Sequence, residues 1–286
     1  MVCFAIAQLF TLKQASILAL FLILSVGILH GANDILLIEK TKFLSKKNRL
    51  LSKIIYIMIV VLAIIMFYFI PFYALVFFIL FSAYHFGEQH WAKIFSGVKY
   101  VNTQKLFMFL YGFCILNMLF WLQHEATNQV IRDIANFEIT NLVFFSLTLI
   151  SFLILLILSL FFYKKNRLQL KTLFKEFLIL LLFALIFKFT PLLLGFAIYF
   201  TFWHSLPSLK DQIDFLYKSS YTLGFKKYFK DAGIYWFVSV IGLGIFVYFF
   251  YETKLFYSLL FTFIAAITFP HVIVMGKMFS YLKSKN

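Results

Sequence analysis

Ile54-Ile55-Tyr56-Ile57-Met58-Ile59-Val60-Val61-Leu62-Ala63-Ile64-Ile65-Met66-Phe67-Tyr68-Phe69-Ile70 is an unbroken run of apolar and aromatic side chains without a charge. A helix rises about 1.5 Å per residue, so this run comes close to spanning the hydrocarbon of a bilayer. A helix apolar on every side belongs in a large core or in a membrane. Lys53 closes the run at one end and Pro71 at the other. Proline disfavours helical geometry in the residue before it, so a tight turn between two spans is expected at Pro71.

Working outward, similar segments lie at about 14–38, 72–91, 105–122, 140–163, 174–190, 191–206, 231–251 and 255–276, with Pro191 separating two of them. Together with 54–70 they make about nine transmembrane segments. The 286 residues are 63% hydrophobic and only 13% charged, with a mean hydropathy of +0.95. Soluble domains carry about a quarter charged residues, and no alternating pattern points to a barrel. The expected fold is an all-α, polytopic integral membrane helical bundle, with residues 1–286 as a single transmembrane catalytic domain. Residues 1–12 form a short apolar arm lacking the basic start and cleavage site of a signal peptide. Cys3 and Cys114 have no CxxC spacing and read as buried apolar fillers.

A formal charge of +15 in a soluble protein would suggest nucleic acid as a partner. Here the basic residues fall in short loops between apolar runs, which makes them orientation signals. With the N-terminus outside and the C-terminus cytoplasmic, the inner segments hold 22 of the 26 basic residues. They include Lys40, Lys42, Lys46, Lys47, Arg49 and Lys53 in the first inner loop, and Lys277, Lys283 and Lys285 at the end. Only Lys13, Arg132, Lys188 and Lys254 remain outside, and the outer loop 123–139 carries Glu125, Asp133 and Glu138. The expected location is the cell (inner) membrane, multi-pass, with membrane lipid as a partner and no nucleic acid.

Orientation makes the histidines informative. His30, His85, His204 and His271 fall on the first, third, seventh and ninth spans, all running inward. They precede the next inner lysine (Lys40, Lys93, Lys210 and Lys277) by 10, 8, 6 and 6 residues. That sets all four about 9–15 Å from the inner boundary. Imidazoles in hydrocarbon are costly and mark functional sites, and neutral imidazole is the commonest metal ligand. The absence of nearby thiolates argues against an iron–sulfur cluster. The four histidines are therefore candidate ligands and catalytic residues of one metal centre. Asp34 lies four residues after His30 and Glu88 three after His85, on the same helical faces, while Ser205 adjoins His204. These three are expected to support the ligands, since a metal-bound imidazole usually donates its other N–H to such a group. His90, beside Trp91, suits an aromatic belt, and His124 sits in the outer loop, so both stay outside the site. There is no Walker loop, Gly-x-Ser-x-Gly elbow or His-Glu-x-x-His helix.

His30-Gly31-Ala32-Asn33-Asp34, His85-Phe86-Gly87-Glu88, Trp203-His204-Ser205 and Pro270-His271 resemble, in order, the motifs of the Brp/Blh family of bacterial and archaeal membrane β-carotene 15,15′-dioxygenases. The resemblance covers nearly the whole chain. It implies a non-haem Fe(2+) oxidoreductase that uses O2 to cleave the central 15,15′ double bond of β-carotene. The products would be two molecules of all-trans-retinal, chromophore for a microbial rhodopsin. It carries ligand roles onto His30, His85, His204 and His271. Some members have a further histidine one turn after the Trp-His-Ser histidine; this chain has Ser208 there. Either His271 completes the set, or the site has three histidines and another ligand. Two other classes fit an intramembrane histidine cluster. One is a haem-binding membrane cytochrome with paired axial histidines; the other is a membrane metal transporter or channel, with which Pro71 and Pro191 as helix breaks loosely agree.

Overall fold

The helix that carries the first run closes at Phe69 and a second opens at Pro71, so the proline breaks the rod at Ile70. The computed structural model describes residues 11–40, 49–95, 99–217, 221–251, 253 and 256–283. Cys3 and most of the N-terminal arm lie outside the described residues, as do Lys42, Lys46, Lys47, Lys218, Lys254 and Lys285.

The described residues are helical throughout, without a strand. Helix α1 (Leu12–Leu22) continues as a π-helical turn (Ile23–Gly27), and α2 (Asp34–Lys40) follows after a break. Then come α3 (Arg49–Phe69), α4 (Pro71–Trp91), α5 (Val101–Leu122), α6 (His124–Ala135), α7 (Asn141–Lys164) and α8 (Leu170–Phe189). A further long stretch is built from α9 (Leu192–Ile198), a second π-helical segment (Tyr199–Ser205) and α10 (Leu206–Tyr217). Helices α11 (Tyr221–Phe250) and α12 (Phe256–Lys283) complete the chain.

Among the described residues, seven helices are long and apolar enough to cross a membrane: Leu50–Phe69, Pro71–Trp91, Val101–Leu122, Asn141–Lys164, Leu192–Tyr217, Thr222–Phe250 and Ser258–Leu282. Two expected segments differ from these. The segment at 14–38 is not one rod, because its helix breaks at residues 30–33. The segment at 174–190 is a helix of 20 residues, α8, that carries Lys171, Lys175, Glu176 and Lys188. The long helices expose Ile57, Val61 and Leu62 on α3 and Val238, Ile241 and Ile245 on α11. Such faces suit hydrocarbon and not water, and mark a multi-pass membrane protein.

The chain divides into two compact units. One holds the residues up to Ala19, Ile79–Arg132 and Asn136–Tyr199. Within it α5 packs on α7, α8 and α9. A Cβ added at Gly87 would lie 1.7 Å from the Met108 carbonyl oxygen, and one at Gly112 would lie 2.0 Å from that of Ala83. Ala83 and Gly87 on α4, and Met108 and Gly112 on α5, are each four residues apart, so each glycine lets the backbone of the other helix approach at its own position. Gly87→Ala is therefore expected to destabilise the folded protein by about 3 kcal/mol, at the upper end for overpacking, because the neighbour at Met108 is backbone that cannot swing away. Thermal unfolding in detergent checks this against Gly242→Ala, whose Cβ would meet nothing within 4 Å and which should leave the melt unchanged.

The same unit buries a polar cluster. Glu176 Oε2 on α8 accepts hydrogen bonds from Tyr111 O–H at 2.9 Å and pairs with His90 Nε2 at 2.9 Å. The His90 ring lies flat on Tyr111, 5.0 Å between centroids. His90 thus ties α4 to α5 and α8, where the sequence suggested an aromatic belt. The buried carboxylate needs donors, and the two side chains supply them. Cys114 is buried here.

The other unit holds Leu20–Phe78, Asp133–Ala135 and Phe200–Asn286. Helix α12 packs on α2 and α3, α10 on α2 and α11, and α11 on the first π-helical turn. Phe67, Ala74 and Ala265 form a buried apolar cluster, flanked by Met66, Leu75 and Phe269.

Candidate metal centre

Three of the four candidate histidines meet in this second unit, and local irregularities of the backbone bring them there. Trp236 Nε1–H on α11 donates to the carbonyls of Leu24 at 3.1 Å and Ser25 at 2.9 Å within the first π-helical turn. π-Helical turns are rare and recur at functional sites, since they re-aim side chains. The helix then tightens and stops: Gly31 N–H bonds to Ile28 O and Ala32 N–H to Leu29 O, both three-residue steps. His30 sits at this break, and its Nδ1–H donates to the Gly27 carbonyl. Gly27 is confined by an aromatic ring, because a Cβ there would lie 2.8 Å from Phe200 Cε1.

His204 lies within the second π-helical segment. Phe200, four residues earlier, stacks on the His204 ring at 5.7 Å and meets His30 edge-on at 5.5 Å. His271 follows Pro270 inside α12. The His30 ring stands perpendicular to both partners, with centroids 5.2 Å from His204 and 4.8 Å from His271. One ligand nitrogen from each of the three lies within 4.8 Å of the others. All three rings are buried, at 4%, 2% and 5% exposure for His30, His204 and His271, so water does not compete for the nitrogens.

Hydrogen bonding sets the tautomers. His271 Nδ1–H donates to Asp34, at 2.8 Å from Oδ1 and 3.0 Å from Oδ2, which leaves the lone pair on Nε2. Tyr56 O–H donates to Asp34 Oδ2 at 3.0 Å. On His30 the proton on Nδ1 likewise leaves the lone pair on Nε2, a buried atom with no hydrogen-bond partner among the described residues. The sequence paired Asp34 with His30 by helical spacing. The break at 30–33 removes that register, and Asp34 serves His271 from another helix.

A metal fits this donor set. Two nitrogens on one ion at about 2.1 Å each are at most about 4.2 Å apart, so small side-chain rotations close the trio onto an ion. The Asp34 carboxylate on the far nitrogen of a ligand imidazole is the usual support of such a site.

The remaining candidates are placed as follows. His85 is buried on α4 in the first unit, beside Phe86, whose ring meets Tyr199 edge-on at 5.4 Å. Glu88, also in that unit, accepts Tyr84 O–H at 3.0 Å. Ser205 is fully buried, and its hydroxyl has no partner among the described residues. His124 opens α6, where its Nε2 lies 3.0 Å from Asn128 Nδ2 and 3.2 Å from the Ile139 carbonyl oxygen. Sequence reasoning missed Tyr56 and Trp236. Their polar atoms stand out in apolar helices, but nothing in the spacing names their partners.

The family model described as Beta-carotene 15,15'-dioxygenase matches residues 21–279. The chain belongs to the β-carotene 15,15′-dioxygenase family. It is an oxygenase whose family chemistry takes β-carotene and O2, and the match runs through His30, His85, His204 and His271. Comparisons with curated proteins and with solved structures give no match.

Proposed function

We propose that this dioxygenase cleaves the central 15,15′ double bond of β-carotene with O2 to give two all-trans-retinal, using Fe(2+) bound by His30, His204 and His271. The observation that carries this reading is the buried trio of imidazoles, supported by Asp34, in a chain of this family. We add His85 as a fourth ligand on its motif and on its expected depth in the sequence. Glu88, three residues after His85, and Ser205, next to His204, are proposed supporting groups of their own neighbouring histidines.

The reaction breaks one C=C bond and forms two C=O bonds, so both oxygen atoms of O2 are consumed. Fe(2+), when bound, supplies the O2 activation that a singlet hydrocarbon lacks. The chain's own residues do the rest. Gly27 O and Asp34 hold the protons on the Nδ1 atoms of His30 and His271, so that Nε2 faces inward in both. Burial of the rings excludes water, and Phe200 fixes the rotation of His30 and His204 by packing on both. An all-nitrogen set of neutral ligands suits iron. The long aromatic-rich chain offers apolar walls for a polyene, whose position must be held because its double bonds are alike.

The proposal extends to the whole chain as one catalytic domain of nine spans, N-terminus outside and C-terminus cytoplasmic, in the cell membrane among its lipids. The basic loops support that orientation. The product would pass to a microbial rhodopsin. A haem cytochrome fits the trio poorly: a porphyrin gripped by two axial histidines fills the plane between them, whereas a third imidazole stands within 4.8 Å of both.

Expression in β-carotene-producing cells, with retinoids separated by chromatography, tests the activity. Loss of carotene with accumulation of retinal is expected. Persistent carotene without retinal, in cells holding folded, iron-loaded protein, overturns the proposal.

A further inference from the structure

The break after His30 leaves backbone carbonyls without their helical N–H donors, and a buried carbonyl must find another. The His30 carbonyl oxygen accepts Gln212 Nε2–H from α10 at 2.7 Å. Tyr228 on α11 places its hydroxyl 3.0 Å from the Leu29 carbonyl, 3.3 Å from that of His30 and 2.9 Å from Gln212 Oε1. The second amide hydrogen of Gln212 is directed to Ser208 Oγ at 3.3 Å and Met275 Sδ at 3.5 Å. Gln212 and Tyr228 are both fully buried. Ser208 thus contributes to the clamp.

We propose that Gln212 and Tyr228 are positioning residues of the metal centre: by gripping the His30 carbonyl they set the turn from His30 to Asp34 that aims two of the three histidines. The inference rests on the metal-centre reading above. One turn carries both effects. His30 is moved directly by its own backbone, and His271 through Asp34, which begins α2 immediately after the turn. A pair that merely filled space would need neither the amide orientation nor the hydroxyl. Here Gln212 donates its amide N–H to the carbonyl, and the single Tyr228 O–H proton is shared among Gln212 Oε1 and the carbonyls of Leu29 and His30, so the orientation of the Gln212 amide is determined.

Gln212→Glu is the sharpest variant, since it keeps the shape and sets a carboxylate oxygen against the His30 carbonyl. Tyr228→Phe keeps the ring and removes only the hydroxyl. The probe is Co(II) added to metal-free protein in detergent, read by its visible spectrum and by titration, beside a melting curve of the metal-free state. Co(II) affinity is expected to fall roughly 10–100-fold in Gln212→Glu and about tenfold in Tyr228→Phe, the range for groups that orient metal ligands, with an altered spectrum in both. Folded variants with the parent affinity and spectrum overturn the inference, even if their melting temperatures drop, because that is the signature of a purely structural contact. Should Gln212→Glu fail to fold, Tyr228→Phe decides alone. A parent protein that takes up no Co(II) overturns instead the metal-centre reading beneath it.

Discussion

Replacing His30 by alanine is expected to abolish retinal formation and to cut metal affinity by at least about a hundredfold. His30 touches both other members of the trio, perpendicular to His204 at 5.2 Å and to His271 at 4.8 Å. Its Nε2 is buried and lacks any protein hydrogen-bond partner among the described residues, a costly arrangement unless another ligand takes the lone pair. Losing a ligand should cost more than losing a group that only orients one, for which roughly 10–100-fold is typical. The void left by the imidazole also frees the edge of Phe200, so the orientation of His204 loosens as well. His124→Ala is the control: the Nε2 of this ring sits beside Asn128 and the Ile139 carbonyl, and its loss should leave metal uptake intact.

Asp34→Asn is expected to lower metal affinity roughly 10–100-fold while leaving the fold in place. The carboxylate accepts a charge-assisted bond from His271 Nδ1–H and a second bond from Tyr56 O–H. Asparagine has the same shape but no charge, so it holds the His271 N–H less firmly and the ring's aim at the metal loosens. If the amide turns its NH2 toward His271, Nδ1 must accept, the ring proton moves to Nε2, and the ligand lone pair is lost. Either orientation acts in one direction. Tyr56→Phe removes one bond to Asp34 and leaves the other, so its effect should be several-fold smaller. Metal titration of the purified variants measures both.

The membrane character was legible because it rests on a property of whole runs. Ile54–Ile70 has no polar face, and Pro71 and Pro191 mark breaks whatever packs around them. Loop charge led the sequence reading to group His30, His85, His204 and His271, and three of these, His30, His204 and His271, meet in the structure. The break at 30–33 and the two π-helical segments were not legible: hydrophobic pattern does not distinguish a helix step of four residues from one of five. That is why Asp34 was assigned to His30 by spacing and found on His271. Tyr56, Gln212, Tyr228 and Trp236 escaped for another reason. Each finds its partner far along the chain, as Gln212 does with the His30 carbonyl, and nothing in the local pattern names that partner. Gly87 belongs to the motif around His85, yet the reason for it lies at Met108 on a different helix.

The most direct measurement takes purified parent protein and His30→Ala side by side, each offered Fe(2+) without oxygen and then given β-carotene and O2. Bound iron and retinal are counted on the same samples. The parent is expected to hold one iron per chain and to release two retinal for each carotene lost, while the variant holds little iron and releases none. A His30→Ala protein that keeps its iron and forms retinal at the parent rate would contradict a metal centre built on His30, His204 and His271.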